Sequence, residues 1–319
     1  MHLIPVDGAL LEQVFDLTYP VWHEGLTRLA YAKWNLAQMR TPWGRDHLER
    51  VALVNSAGDL LATAKRYRFD VQLDGRTGWM CGLGAVFTPP ERRGQGHAHA
   101  LIERLLAEAT RDGALLAALL LGNRHELLRT GGFRTVPMDE VTVSVRRKDG
   151  SPAMLVRAGD ERDLPALARL HETRAAGVRF SLKRDAALLR FVLAKKRTFA
   201  GLSAPGERQL EFFVAEEGAS AVAYVILSIN RHGWTLEEAG DRDPAGARLG
   251  GMLQVLLARE PTRPAPIIRA WWPAAFAVPP QVQLTDRTDP SDVLMLRALA
   301  DVEVPAATSD VFYWRADQF

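Results

Sequence analysis

The stretch Ala85-Val86-Phe87-Thr88-Pro89-Pro90-Glu91-Arg92-Arg93-Gly94-Gln95-Gly96-His97-Ala98 decides how this chain folds. It carries the end of an apolar strand into the start of a helix through a turn of arginine and glycine. Upstream, Gly78 to Phe87 is apolar almost throughout, and the prolines stop it because neither can donate to a sheet ladder. Downstream, Ala98, Leu101, Ile102, Leu105, Leu106 and Ala109 recur at helical spacing, with Glu103, Arg104, Glu108, Arg111 and Asp112 on the other side, and Gly113 closes the helix. Glycines let the backbone approach a ligand closely, and the first N–H groups of a helix have no partner within it, so this turn is a seat for phosphate. A dinucleotide fingerprint would need a third glycine where His99 stands, and the Gly-Lys-Ser/Thr of a Walker loop is absent. What remains is Arg-x-x-Gly-x-Ala, Arg93 to Ala98; the alternative is a solvated basic loop whose glycines serve only to turn.

This pattern resembles the pyrophosphate loop of the GCN5-related N-acetyltransferase (GNAT) superfamily, in which an Arg/Gln-x-x-Gly-x-Gly/Ala turn follows the fourth strand and holds acetyl-coenzyme A. The apolar run Ala114 to Leu121, then Gly122-Asn123 and a brief helix closed by Gly131-Gly132-Phe133, is similar to the family's fifth strand, short helix and Gly-Phe. The resemblance implies that Val86, Phe87 and Thr88 offer backbone groups to the pantetheine where two parallel strands splay. It implies that Arg93, Gly94, Gln95, Gly96, His97, Ala98 and His99 surround the pyrophosphate, and that Asn123 contacts the pantetheine arm.

Catalytic groups are less defined. Many relatives place a tyrosine five residues before the Phe of the Gly-Phe pair as the thiolate's acid; here that residue is Leu128. His125 and Glu126 are nearby titratable candidates, with a solvent-facing role as the alternative. In some tandem relatives the chain terminus enters the first domain and serves as base, which makes Phe319 a third candidate; a last strand of the second domain with core aromatics is the other reading of Asp310 to Phe319. By resemblance the acceptor pocket draws on Tyr19 to Gly25, where Trp22 can face an amine by cation-π contact, or pack in the core, and Glu24 can attract a cation.

At 319 residues the chain exceeds the roughly 150 residues of one such domain, so two are expected. Forty basic against 38 acidic residues leave no global charge for nucleic acid, and 47% hydrophobic residues supply a core in each half. No run of about eighteen apolar residues occurs, and Met1 to Asp7 lacks a basic region followed by an apolar stretch, so a soluble cytoplasmic protein without membrane association is expected. Cys81 is the only cysteine, lies in the apolar strand and reads as a small core residue; cysteine-based zinc sites and internal disulfides are excluded, and no metal is expected.

Leu3 to Val6 reads as a strand, Leu10 to Thr18 and Leu26 to Met39 as helices, and two strands flank Ser56-Ala57-Gly58-Asp59. Phe133 to Val136 and Val141 to Val145 are expected to complete the first mixed sheet, and Lys148-Asp149-Gly150-Ser151-Pro152 reads as the linker. The outline then repeats: Met154 to Arg157 as a strand, a helix capped by Asp160, strands at Phe212 to Ala215, Ala221 to Ile229 and Trp234 to Ala239, and a helix from Pro244 to Leu257. The expected fold is a mixed α/β (α+β) arrangement of two tandem GNAT domains, residues 1–150 and 151–319.

Aligned by architecture, Arg242 to Ala247 falls on Arg93 to Ala98, putting Asp243 at the place of Gly94 and Pro244 at that of Gln95. A carboxylate repels a pyrophosphate and proline has no N–H to offer, so the second copy is expected to be degenerate, as in tandem bacterial acetyltransferases. Val86 to Pro90 and the tail Phe312-Tyr313-Trp314 also resemble fungal lysine N-acetyltransferases over part of the chain. Together these imply an acetyl-CoA-dependent N-acetyltransferase acting on a small-molecule primary amine or amino acid, in an oligomeric state the sequence leaves open. The alternative is an inactive acetyl-CoA-binding sensor or interaction module.

Overall fold

The computed structural model describes residues 1–121, 131–136, 138–146, 154–259, 266–288 and 292–319. By contacts the chain divides into two units: Met1–Val136 with Ser291–Pro305 and Phe319, and Pro137–Pro290 with Ala306–Gln318.

The first unit runs β1 (His2–Pro5), α1 (Gly8–Trp22), α2 (Arg28–Arg40), α3 (Pro42–His47), β2 (Leu48–Val54), β3 (Leu60–Leu73), β4 (Arg76–Phe87), α4 (His97–Arg111), β5 (Leu116–Leu121) and β6 (Arg134–Thr135). Thr27 caps α2 by accepting from the amide of Ala30, and Thr41 caps α3 by accepting from that of Gly44. One face of the sheet is closed by α4, whose Leu101, Ile102, Leu105, Leu106 and Ala109 pack on Ala62, Ala64, Cys81, Leu83, Ala117 and Leu119. Fully burying each large side chain of this stripe contributes about 1.5–3 kcal/mol, so the period seen in the sequence is also what seats the helix. Cys81 lies in this core, and burial pushes its thiol up to about 12. The opposite face of the sheet meets α1, through Val14 against Val6, Ala52, Val54 and Leu60.

The second unit runs β7 (Glu140–Val145), β8 (Val156–Ala158), α5 (Leu164–Ala175), β9 (Phe180–Leu182), α6 (Ala186–Leu202), β10 (Arg208–Glu217), β11 (Ser220–Asn230), β12 (Gly233–Asp241), α7 (Ala247–Arg259), β13 (Ile268–Trp271) and β14 (Val282–Thr288). Its sheet order is β14-β7-β13-β12-β11-β10-β8. The chain then supplies β15 (Val293–Ala298) to the first unit and β16 (Val311–Phe312) to the second.

Two expectations change here. Val141 to Val145 is a strand, but β7 lies between β13 and β14 in the second sheet rather than completing the first. The far edge of β5 is taken instead by β15, antiparallel with Met295 opposite Leu119, and β6 pairs β15 rather than β5. The contact division accordingly departs from a break at residue 150: it falls between Val136 and Pro137, and the chain returns to the first unit twice. Apolar alternation specifies the faces of a strand and carries no information about which edge it joins.

Candidate active site

In the first unit β4 and β5 run parallel from Met80 opposite Leu116 to Leu83 opposite Leu119 and pair no further, although β4 continues to Phe87 and β5 to Leu121. Against β3, Gly84 pairs Lys65 and Phe87 pairs Thr63, so Ala85 and Val86 together stand opposite the single Ala64. Ala85 takes φ +47°, a left-handed conformation that alanine rarely adopts. This bulge turns the strand end away from β5 and opens the sheet there.

The turn follows directly. Thr88 accepts at its carbonyl from Arg93 Nε at 3.3 Å, and the exposed Gln95 donates to the Glu91 carbonyl at 3.4 Å while its Oε1 lies 3.2 Å from His97 Nε2. Gly94 and Gly96 have φ of +77° and +78°, and a Cβ on either would meet nothing within 4 Å, so the space over both is open. Gly96 is the N-cap of α4 with no side-chain cap, which leaves the amides of His97, Ala98 and His99 without helical partners. His97 and Ala98 are partly exposed, and Arg93 and His99 are exposed. Asn123, His125, Glu126 and Leu128 lie outside the described residues.

Trp22, at the end of α1, is half-buried with its ring 6.0 Å from that of Phe87 in an edge-on contact, so it stands beside the bulged strand end. Glu24 is exposed at φ +49° in the turn after α1. The structure brings Phe319 to the same sheet. Its ring sits 5.4 Å from both Tyr67 and Phe69 of β3. A Cβ on Gly84 would lie 3.4 Å from the Phe319 backbone oxygen and 3.6 Å from its backbone carbonyl carbon, and one on Gly82 would lie 3.3 Å from its ring. These two glycines therefore leave room over β4 for Phe319, whose backbone carbonyl group lies against the residue before the bulge.

The tail before it belongs to the second unit. Phe312, Tyr313 and Trp314 are buried, as core aromatics would be, but the strand is limited to Val311–Phe312, which pairs β9. A buried ionic cluster fastens it. Arg184 binds both Glu238 and Asp317, Tyr224 donates to Glu238 at 2.6 Å, and Asp317 also accepts from the Trp314 amide at 2.7 Å. Burial raises both Glu238 and Asp317 above the usual carboxylate range, against the pull of Arg184. Lys195 donates to the Gln318 carbonyl at 2.9 Å, and burial beside Lys196 lowers its ammonium to about 7.

In the second unit the turn corresponding to residues 93–98 is filled by its own side chain. Buried Asp241 accepts from the amides of Asp243 and Leu249, each at 2.8 Å, and so caps the start of α7 with a carboxylate. Matching the two helix starts puts Gly246, φ +69°, on Gly96, one residue from the expected alignment, and α7 begins at Ala247, three residues after the expected Pro244. Asp160 likewise caps a short turn, Glu161–Asp163, ahead of α5.

Sequence reasoning missed Arg50, Lys65, Tyr67 and Phe69 on the inner face of β2 and β3. Alternate glycines at Gly82 and Gly84 in an apolar strand were the available signal, since glycine there marks close approach of another segment.

Residues 5–134 match the family model described as an acetyltransferase (GNAT) domain. No curated protein sequence matches the chain. Several solved structures share its fold at low identity. A GCN5-related N-acetyltransferase from Anabaena variabilis is 13% identical with a TM-score of 0.69, over 94% of this chain and 73% of that one. An Enterococcus faecalis protein described as a probable N-acyltransferase is 14% identical with a TM-score of 0.68, over 93% and 72%. A GCN5-related N-acetyltransferase from Kribbella flavida is 16% identical with a TM-score of 0.64, over 93% and 72%.

Proposed function

We propose that this chain, whose residues 5–134 match the model of an acetyltransferase (GNAT) domain, transfers acetyl from acetyl-CoA to a primary amine of a small molecule or amino acid. The observation that carries this reading is the sequence of three features along one stretch: the end of β4–β5 pairing at Leu83, the bulge at Ala85, and the open turn at Gly94 and Gly96. The open strand end suits a thioester arm held by the backbone of Val86, Phe87 and Thr88, and the uncapped start of α4 suits a pyrophosphate. In the second unit Asp241 occupies the equivalent helix start, which supports a degenerate second copy.

Chemically, the acceptor nitrogen forms a bond to the thioester carbon and the carbon–sulfur bond breaks. The ammonium proton must leave before attack, and the thiolate takes one up afterwards. Phe319 supports a base role because its carboxylate lies against Gly84 on the strand that would hold the thioester, while Trp22 beside Phe87 offers an aromatic wall for the amine.

Thermal shift with acetyl-CoA tests the binding, and thiol release with a panel of amines separates turnover from a sensor that only binds. Gly96→Glu should abolish the shift, because it places a bulky residue at φ +78° and a carboxylate where the pyrophosphate would sit. If acetyl-CoA gives no shift in the wild type, the reading fails.

A further inference from the structure

A cavity of about 250 Å³ opens in the first unit beside the junction of α3 and β2, lined by residues of α3, β2, β3 and β4 together with Asp112 just after α4. It stands apart from the glycine turn. Trp79 comes six residues before the bulge at Ala85, about 20 Å along an extended strand, and Asp112 sixteen residues after Gly96, about 24 Å along a helix. The cavity is therefore at the opposite end of β4 and α4 from Gly94 and Gly96.

Its walls are held by contacts that leave charge unspent. Arg68 lays its guanidinium over the Trp79 ring at 4.1 Å, and the Trp79 indole nitrogen donates to the Asp112 carbonyl at 3.2 Å. Stacking uses the face of the guanidinium and leaves its N–H edge free to bond. His47, stacked at 4.8 Å on Trp43, adds a second flat side chain to the lining. Arg66 is different, because Glu49 and Glu108 both pair with it and meet its charge. The charges left over are those of Arg45, Arg68, Asp46 and Asp112, all exposed and without an ion-pair partner among the described residues.

In water these four groups are solvated and need no partner. A molecule that fills the cavity displaces that water, and a charge it covers without offering the opposite sign opposes binding. A cation alone would meet the two aspartates and strand the two arginines; an anion alone would do the reverse. Selection falls on a molecule that carries both signs on a flat or apolar body. We infer that this cavity is a second small-molecule site, for a zwitterion the size of a free amino acid, its carboxylate met by Arg45 and Arg68 and its ammonium by Asp46 and Asp112. Binding there does not depend on acetyl transfer.

Calorimetry on the intact chain tests this with three matched sets: L-phenylalanine, phenethylamine and 3-phenylpropanoate; L-tryptophan, tryptamine and indole-3-propanoate; L-leucine, isopentylamine and 4-methylpentanoate. In at least one set the amino acid should bind about tenfold or more tightly than either singly charged member. Arg45→Gln together with Arg68→Gln should bring the preference over the amine toward one, and Asp46→Asn together with Asp112→Asn the preference over the acid. All four side chains are exposed, so both variants should melt as the wild type does. No binding of any of the three amino acids, a singly charged member that binds as tightly as its amino acid in every set, or a preference that survives the substitutions aimed at it would each overturn the inference.

Discussion

Separating the ring of Phe319 from its carboxylate distinguishes anchor from base. The ring meets Tyr67 and Phe69 at 5.4 Å each and is half-buried. Two such aromatic contacts contribute about 0.5–1.5 kcal/mol apiece, and half-burial of the side chain adds about 1 kcal/mol. Extending the chain by Gly-Ser after Phe319 keeps the ring and replaces the carboxylate by a neutral peptide group. If the carboxylate is the base, kcat/KM should fall by about 10²–10⁴-fold, which is about 2.7–5.4 kcal/mol of transition-state stabilisation. Phe319→Ala keeps the charge and loses an anchor worth about 2–4 kcal/mol, which bounds its rate loss at about 30–900-fold; within that bound it should lose less than the extended variant. Both are read by thiol release at saturating acetyl-CoA with the amine varied, alongside an acetyl-CoA melting shift to show that cofactor binding survives. An extended variant within threefold of wild type would refute the base role, and a Phe319→Ala variant slower than the extended one would show that the ring matters more than the charge.

The buried guanidinium of Arg50 has no hydrogen-bond partner among the described residues, so the effect of Arg50→Met on stability should lie between neutral and a gain of about 2 kcal/mol, the smaller side chain offsetting part of the gain; a loss of about 3 kcal/mol or more in urea unfolding would show the guanidinium to be satisfied in solution. Asp241→Ala should cost the second unit about 1–3 kcal/mol, because two amides lose their acceptor, while acetyl-CoA affinity stays at the wild-type value. Lys195, lowered to about 7 in the folded chain from 10.5 when unfolded, binds fewer protons folded than unfolded across that window. Its contribution to stability therefore rises with pH between about 7 and 10.5, by up to about 1 kcal/mol per pH unit, and Lys195→Met should flatten that part of the urea-derived stability curve.

The turn at residues 85–98 was legible because everything that forms it is local. Prolines end the strand, Gly94 and Gly96 need positive φ, and the stripe from Leu101 to Ala109 orients the helix on the sheet. The strand and helix content of the second half was legible for the same reason, though its helix starts three residues later than expected because Asp241 reaches forward to cap it. The partners of β7 and β15 were not, since an alternating strand reads the same in either sheet.

The amino-acid sequence by itself determined the glycine turn and the faces of its strand and helix, all set by neighbours a few residues apart. Only the tertiary structure decided what stands over β4. Phe319 reaches Gly84 from the far end of the chain, and Arg50 and Lys65 become a buried pair through strand register. Such juxtapositions depend on which distant segments the packing of the whole unit brings together, and no local period or spacing encodes them.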